Sequence, residues 1–190
     1  HPLSPPPIEI TTFSGSALKV HKDLMQKEES TIYLGNILSS KGGISCTIED
    51  RRSKGWGKIS TIMGILSEVQ MGSNKLEAGL LMRKAILISG LLFSAETCSG
   101  VTEKHLARLE VVDNSLLVRR TGGHSKCASE YNYLETGSFK LRHHLTYLRL
   151  LYHHHILTRD KTETISKIYY KQKEENTKGD WFQSLKKDFE

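Results

Sequence analysis

A mainly α-helical bundle preceded by a small β-hairpin is the fold the sequence predicts, and three observations predict it. All four prolines stand at Pro2, Pro5, Pro6 and Pro7, so the remainder of the chain lacks the residue most hostile to helix interiors. Segments rich in β-branched and aromatic residues are confined to the first forty positions or so, where turn formers bound them. From Cys46 onward the apolar residues recur with a period near 3.6.

Pro5 to Pro7 make a stiff polyproline tail over 1–7. Ile8 to Phe13 and Thr31 to Leu38 read as strands, and Leu18 to Glu29 suits either a strand or a short helix. Ser39 to Gly43 is the turn that follows. Thr47 is placed to cap a first helix whose apolar side holds Ile48, Trp56, Ile59, Ile62, Met63 and Leu66, with Gly55 and Gly57 as weak points. Ser73 caps a second helix carrying Leu76, Leu80, Leu81, Ile86 and Ile88. Thr102 caps a third, where Leu106, Leu109, Val112, Leu116 and Leu117 form a stripe that Gly122 and Gly123 end. A short helix opens at Ser125 or Lys126, runs through Tyr131 and Leu134 and closes at Gly137. The longest clean helix spans Phe139 to Thr158, with Leu141, Leu145, Leu148, Leu151 and Ile156 on one side. Two amphipathic pieces follow, around Ile165, Ile168 and Tyr169, then around Trp181, Leu185 and Phe189.

At 190 residues the chain suits one domain or one with a small appendage, enough to bury about 70% of its unfolded surface. Hydrophobic content of 37% is low for a compact globule, which suits a loosely packed or extended helical piece. The longest apolar run, Ala85 to Phe93, falls far short of the roughly 18 to 20 residues a bilayer crossing needs, so no membrane partner is expected. The chain begins at His1, which reads as a natural start missing or removed, and the opening residues have neither the basic leader nor the apolar centre of a secretion signal. Three widely spaced cysteines, Cys46, Cys98 and Cys127, suit free thiols in a reducing compartment. An intracellular location, nucleus or cytoplasm, is the expectation. A net charge of +6 and a pI near 9.2 favour a polyanionic partner.

The most informative string is Thr31-Ile32-Tyr33-Leu34-Gly35-Asn36, followed by a glycine turn and a long basic helical tract. Its Tyr33-Leu34-Gly35 segment resembles the palm-edge element of non-LTR (LINE-type) retrotransposon reverse transcriptases. Downstream, Ile48-Glu49-Asp50-Arg51-Arg52, the stretch Arg83-Lys84-Ala85-Ile86-Leu87, then Leu91 to Thr97, Leu106 to Arg120, Tyr133 to Gly137, Leu148 to Arg159 and Gly179-Asp180-Trp181 are similar to the thumb and tail of the same family, in the same order. The resemblance covers roughly 28–190 and implies four parts: the tail, a remnant of the palm edge over 8–44 with a primer-grip hairpin, thumb-like helices over 45–137, and a helical extension over 138–190.

The resemblance implies a fragment of an RNA-directed DNA polymerase that holds the primer-template duplex. Tyr33, Leu34 and Gly35 would shape the grip, and Arg51, Arg52, Lys54, Lys58, Arg83 and Lys84 would contact phosphates, giving salt-dependent, sequence-independent binding. The family's polymerase centre uses paired aspartates to hold two metal ions, and no Asp-Asp pair exists in this chain. The chain alone is therefore expected to be inactive and to carry no cofactor, with Mg belonging to the parent enzyme's missing palm and fingers. The clamp requires a leading hairpin and its arginines and lysines on one side.

Nine histidines invite a metal reading, including His143-His144 and His153-His154-His155. Consecutive positions on a helix fan out by about 100°, so these imidazoles do not converge on one ion. His124 and Cys127 lack an orienting acid for nucleophilic catalysis. Trp56 and Trp181 suit core anchors. The alternative to the polymerase fragment is a helical protein-interaction module whose groove is read through Leu141, Leu145 and Leu148.

Overall fold

The computed structural model describes residues 8–11, 17–20, 30–33, 36–39, 44–68, 74–124, 127–175, 177 and 180–189. Four short strands come first: β1 (Ile8–Thr11), β2 (Ala17–Val20), β3 (Ser30–Tyr33) and β4 (Asn36–Ser39). They form two separate antiparallel pairs, β1 with β2 from Ile8↔Val20 to Thr11↔Ala17, and β3 with β4 from Ser30↔Ser39 to Tyr33↔Asn36. The single strand expected over Thr31 to Leu38 is thus two, and Gly35-Asn36 was the turn signal within it. Leu18 to Val20 take the strand option. The expected elements at Phe13, Ser40 to Gly43, Ser73, Ser125 and Lys126 lie outside the described residues.

Helices make up the rest: α1 (Ser45–Glu68), α2 (Lys75–Met82), a π-helical stretch (Arg83–Ile88), α3 (Ser89–Leu91), a 3-10 turn (Ala95–Thr97), α4 (Glu103–Thr121), α5 (Ser129–Glu135), α6 (Leu141–Leu157), α7 (Thr164–Glu175) and α8 (Trp181–Phe189). The α4 boundaries follow the sequence closely. Thr102 Oγ1 accepts from His105 N–H while His105 Nδ1 faces Thr102 N–H, a reciprocal cap with histidine in the place of the usual Glu or Gln. Gly122, at φ 70°, ends the helix in the left-handed conformation.

Helix α1 packs on α4 and on the α2 to α3 rod. The main core joins Ile48, Ile59, Ile62 and Leu66 of α1 to Leu87, Ile88, Leu91 and Leu92, to Leu106, Leu109, Val112 and Leu116 of α4, and to Leu141 and Leu145 of α6. Gly55 is a contact point in this core and not a weak one. A Cβ there would stand 2.8 Å from Leu91 Cδ2 and 3.0 Å from Val112 Cγ1, so only glycine lets α1 close to that distance. A smaller aromatic cluster of Ile156, Tyr169, Trp181 and Leu185 ties α7 and α8 to the end of α6. Trp181 is the anchor expected and donates its indole N–H to Glu96 O. Trp56, by contrast, is 37% exposed. Leu81, Leu151, Ile168 and Phe189, expected on buried sides, are exposed.

Candidate nucleic-acid interface

The expected grip lies at the junction of β3 and β4. Tyr33 ends β3 with its backbone opposite Asn36; the Tyr33 side chain, Leu34 and Gly35 lie outside the described residues. What fixes the hairpin is the first turn of α1. Thr47 is buried inside that helix and does not cap it. Its hydroxyl accepts from Ile37 N–H at 3.0 Å and donates to Ile37 O at 3.1 Å, satisfying both backbone groups of one β4 residue. One turn on, Arg51 donates from Nη2 to Asn36 Oδ1 at 2.6 Å. Arg51 is only 4% exposed, and its burial pushes the guanidinium below its ordinary pKa against the opposing pull of Cys98, Glu96 and Asp50. Arg51 holds the hairpin and is not presented to a phosphate.

Arg83 is likewise unavailable. Its Nε and Nη2 grip the two oxygens of Asp113 at 2.7 Å each, and Nη2 also donates to Phe139 O at 3.0 Å. Tyr133 OH donates to the same Asp113 carboxylate at 2.9 Å, and the guanidinium lies 5.7 Å from the Tyr133 ring centre. Burial, with the Asp113 charge adding to it, pushes the Tyr133 hydroxyl well above the ordinary phenol range. Asp113 is wholly buried and Arg83 4% exposed, so this is a closed ionic knot tying the π stretch to α4 and α5.

The four remaining basic candidates do not share one face. Arg52 and Lys54, two positions apart on α1, point about 200° apart around its axis. Arg52 pairs with Glu49 at 2.8 Å and Lys54 with Asp50 at 2.7 Å. Lys58, one turn beyond Lys54 on the same flank, reaches Ile86 O at 3.2 Å and lies across Gly90. Lys84 is exposed on the π stretch, beside His144 in the grooves that face α6. Of the six basic candidates, only Lys54 and Lys58 share a flank of α1, with Arg52 and Lys84 apart from it.

Among the described residues, no group of three or more His, Cys, Asp or Glu is placed to hold a metal ion, and no helix is long and apolar enough to cross a membrane. Two histidines of α6 make side-chain hydrogen bonds: His153 Nε2 meets Tyr169 OH at 3.0 Å, and His155 Nε2 accepts from Arg159 at 2.9 Å. Cys46, Cys98 and Cys127 are unpaired thiols. No protein-family model matches this chain, nor does any curated protein or solved structure.

Sequence reasoning gave Thr47 the wrong role and missed Asn36, Asp113 and Tyr133 as bonding partners. It also missed Arg149, which is 5% exposed on α6 and pairs with Asp188 of α8 at 3.1 Å. An aspartate or arginine on the apolar stripe of a helix was the available signal, since a buried charge needs a partner: Asp113 lies one turn from Leu109 and Leu116, and Arg149 one turn from Leu145.

Proposed function

We propose that the chain is the hairpin-and-thumb part of a LINE-type reverse transcriptase, and that it helps hold a primer-template duplex against the palm and fingers of a parent RNA-directed DNA polymerase. The role is positioning without bond chemistry; the metal-holding carboxylates, and the Mg they bind, belong to the parent. Order and attachment support the reading. A short hairpin precedes a helical bundle as the resemblance requires, and Thr47 and Arg51 fasten it to the first helix. Tyr33, Leu34 and Gly35 would meet the primer end. Lys54 and Lys58 are the flank best placed for phosphates, and Arg52 and Lys84 are separate contacts. The proposed location is the nucleus or cytoplasm.

A gel-shift titration of the 190-residue chain against a primer-template duplex tests this. Binding should fall steeply between about 50 and 200 mM salt, and the Lys54→Ala, Lys58→Ala double variant should lower the slope of log K against log salt by about 2. An affinity indifferent to salt would sink the proposal.

A second reading, a protein-interaction module, draws on one observation. Leu81, Phe139 and Tyr147 are each more than 60% exposed around the grooves between the α2 to π rod and α6, and such clustering marks interaction surfaces. The row first expected to line its groove is not available, because Leu141 and Leu145 are core residues.

A further inference from the structure

Among the buried arginines, Arg149 differs from Arg83 in what its guanidinium holds. Arg83 fills the edge formed by Nε and Nη2 with both oxygens of Asp113. Arg149 offers Asp188 only Nη1, at 3.1 and 3.5 Å, and its Nε and Nη2 make no hydrogen bond. Those two nitrogens carry parallel N–H groups, the fork that matches two oxygens of a phosphate or carboxylate.

Arg149 lines a cleft of ≈ 460 Å³ between α4, α6 and α8. Arg142 and Lys187 line it too, with the carboxylates of Glu103 and Asp188; Arg142 is paired with Glu103 at 3.4 Å and Glu110 at 3.5 Å, and Lys187 is exposed. The N-terminus of the 19-residue α4 opens onto the same space at Thr102 and Glu103, adding the positive end of a helix dipole. A buried, half-used guanidinium, two further cations and a helix N-terminus thus line one cavity.

We infer that this cleft binds the phosphate group of a small phosphorylated molecule, with Arg149 gripping two phosphate oxygens and Arg142 and Lys187 closing over the others. Both free nitrogens of Arg149 are shielded from solvent, so entry moves the rim, where the exposed Arg142 and Lys187 side chains are the parts with room to move. The dianion is preferred over a carboxylate because the cleft supplies more donors than one carboxylate can use. This site is independent of the duplex flank on α1.

The test is a titration of the full chain with inorganic phosphate, read by thermal shift and by calorimetry against chloride at matched ionic strength, with dimethyl phosphate as a second arm. A saturable rise in Tm with inorganic phosphate is expected, weakened at least fivefold in Arg149→Lys, which keeps the charge and loses the fork. Should that variant fail to fold, Lys187→Ala and Arg142→Gln, both at exposed positions, are each expected to weaken binding at least twofold. No saturable response in the wild type, a response only to the diester, or unchanged affinity in Lys187→Ala and Arg142→Gln would each overturn the assignment.

Discussion

Two of the buried arginines, Arg83 and Arg149, mark a closed half of the molecule and an open one. Around Arg83, which also lines a groove of ≈ 290 Å³ with Phe139 and His144, Asp113 and Phe139 O take up the guanidinium edge, and Tyr133 adds a third donor to the carboxylate. Around Arg149 one carboxylate answers one nitrogen, a cleft lies alongside, and the neighbouring cluster is aromatic, with Tyr152, Tyr169 and Trp181 meeting edge to face. Burial alone therefore does not say what a charge is for. A buried ion pair with complete hydrogen bonding fixes one arrangement of helices, whereas an incomplete one leaves binding capacity behind.

Breaking the closed half should have the larger effect. Asp113→Ala leaves the Arg83 guanidinium buried without its partner, and chemical denaturation should show a loss of about 3–5 kcal/mol. Asp188→Ala removes a weaker and less complete pair, with an expected loss of about 1–3 kcal/mol; a cost equal to that of Asp113→Ala would erase the distinction between the halves. Thr47→Val is expected to cost about 1 kcal/mol, with faster amide exchange confined to β4 and the start of α1. If exchange rose throughout the bundle instead, Thr47 would belong to the core and not to the hairpin's attachment.

Acid sharpens the comparison further. Burial lowers the pKa of His144, and the charges of Arg83, Lys84 and His143 add to that, against the opposing pull of Asp113. A histidine whose folded pKa lies below its unfolded value binds protons more readily in the unfolded chain, so stability falls as pH drops from about 6.5 through the folded pKa. His144→Gln should flatten that slope in a pH series of denaturation midpoints. An unchanged slope would place the acid sensitivity at His153, which burial also lowers.

Much of the bundle was legible because helix ends and stripes are local. Thr102 and Gly122 bound α4 through hydrogen bonds and a backbone angle that involve only neighbouring residues, and the Phe139 to Thr158 expectation falls within two residues of the observed α6. The errors arise where a distant partner decides. Thr47 looks like a cap in sequence, yet its hydroxyl is claimed by a strand ten residues earlier. Arg51 and Arg83 look like surface cations until Asn36, and Asp113 thirty residues on, are brought to them. The π stretch left no mark in the apolar spacing, although Ser89 bonds back to Ala85 O and Ile86 O at its end. The phosphate track misled because charge was counted along the chain, while the angle between Arg52 and Lys54 depends on the helix both share.

Thr47 also decides how the hairpin could extend. A strand recruits a neighbour by offering outward N–H and C=O groups, and at Ile37 both are already bonded to a side chain of α1. The β4 border is therefore shut at its middle, which leaves the β3 border as the place for a larger sheet to continue. A strand added to this hairpin would therefore pair along β3, with α1 standing behind β4 like a wall.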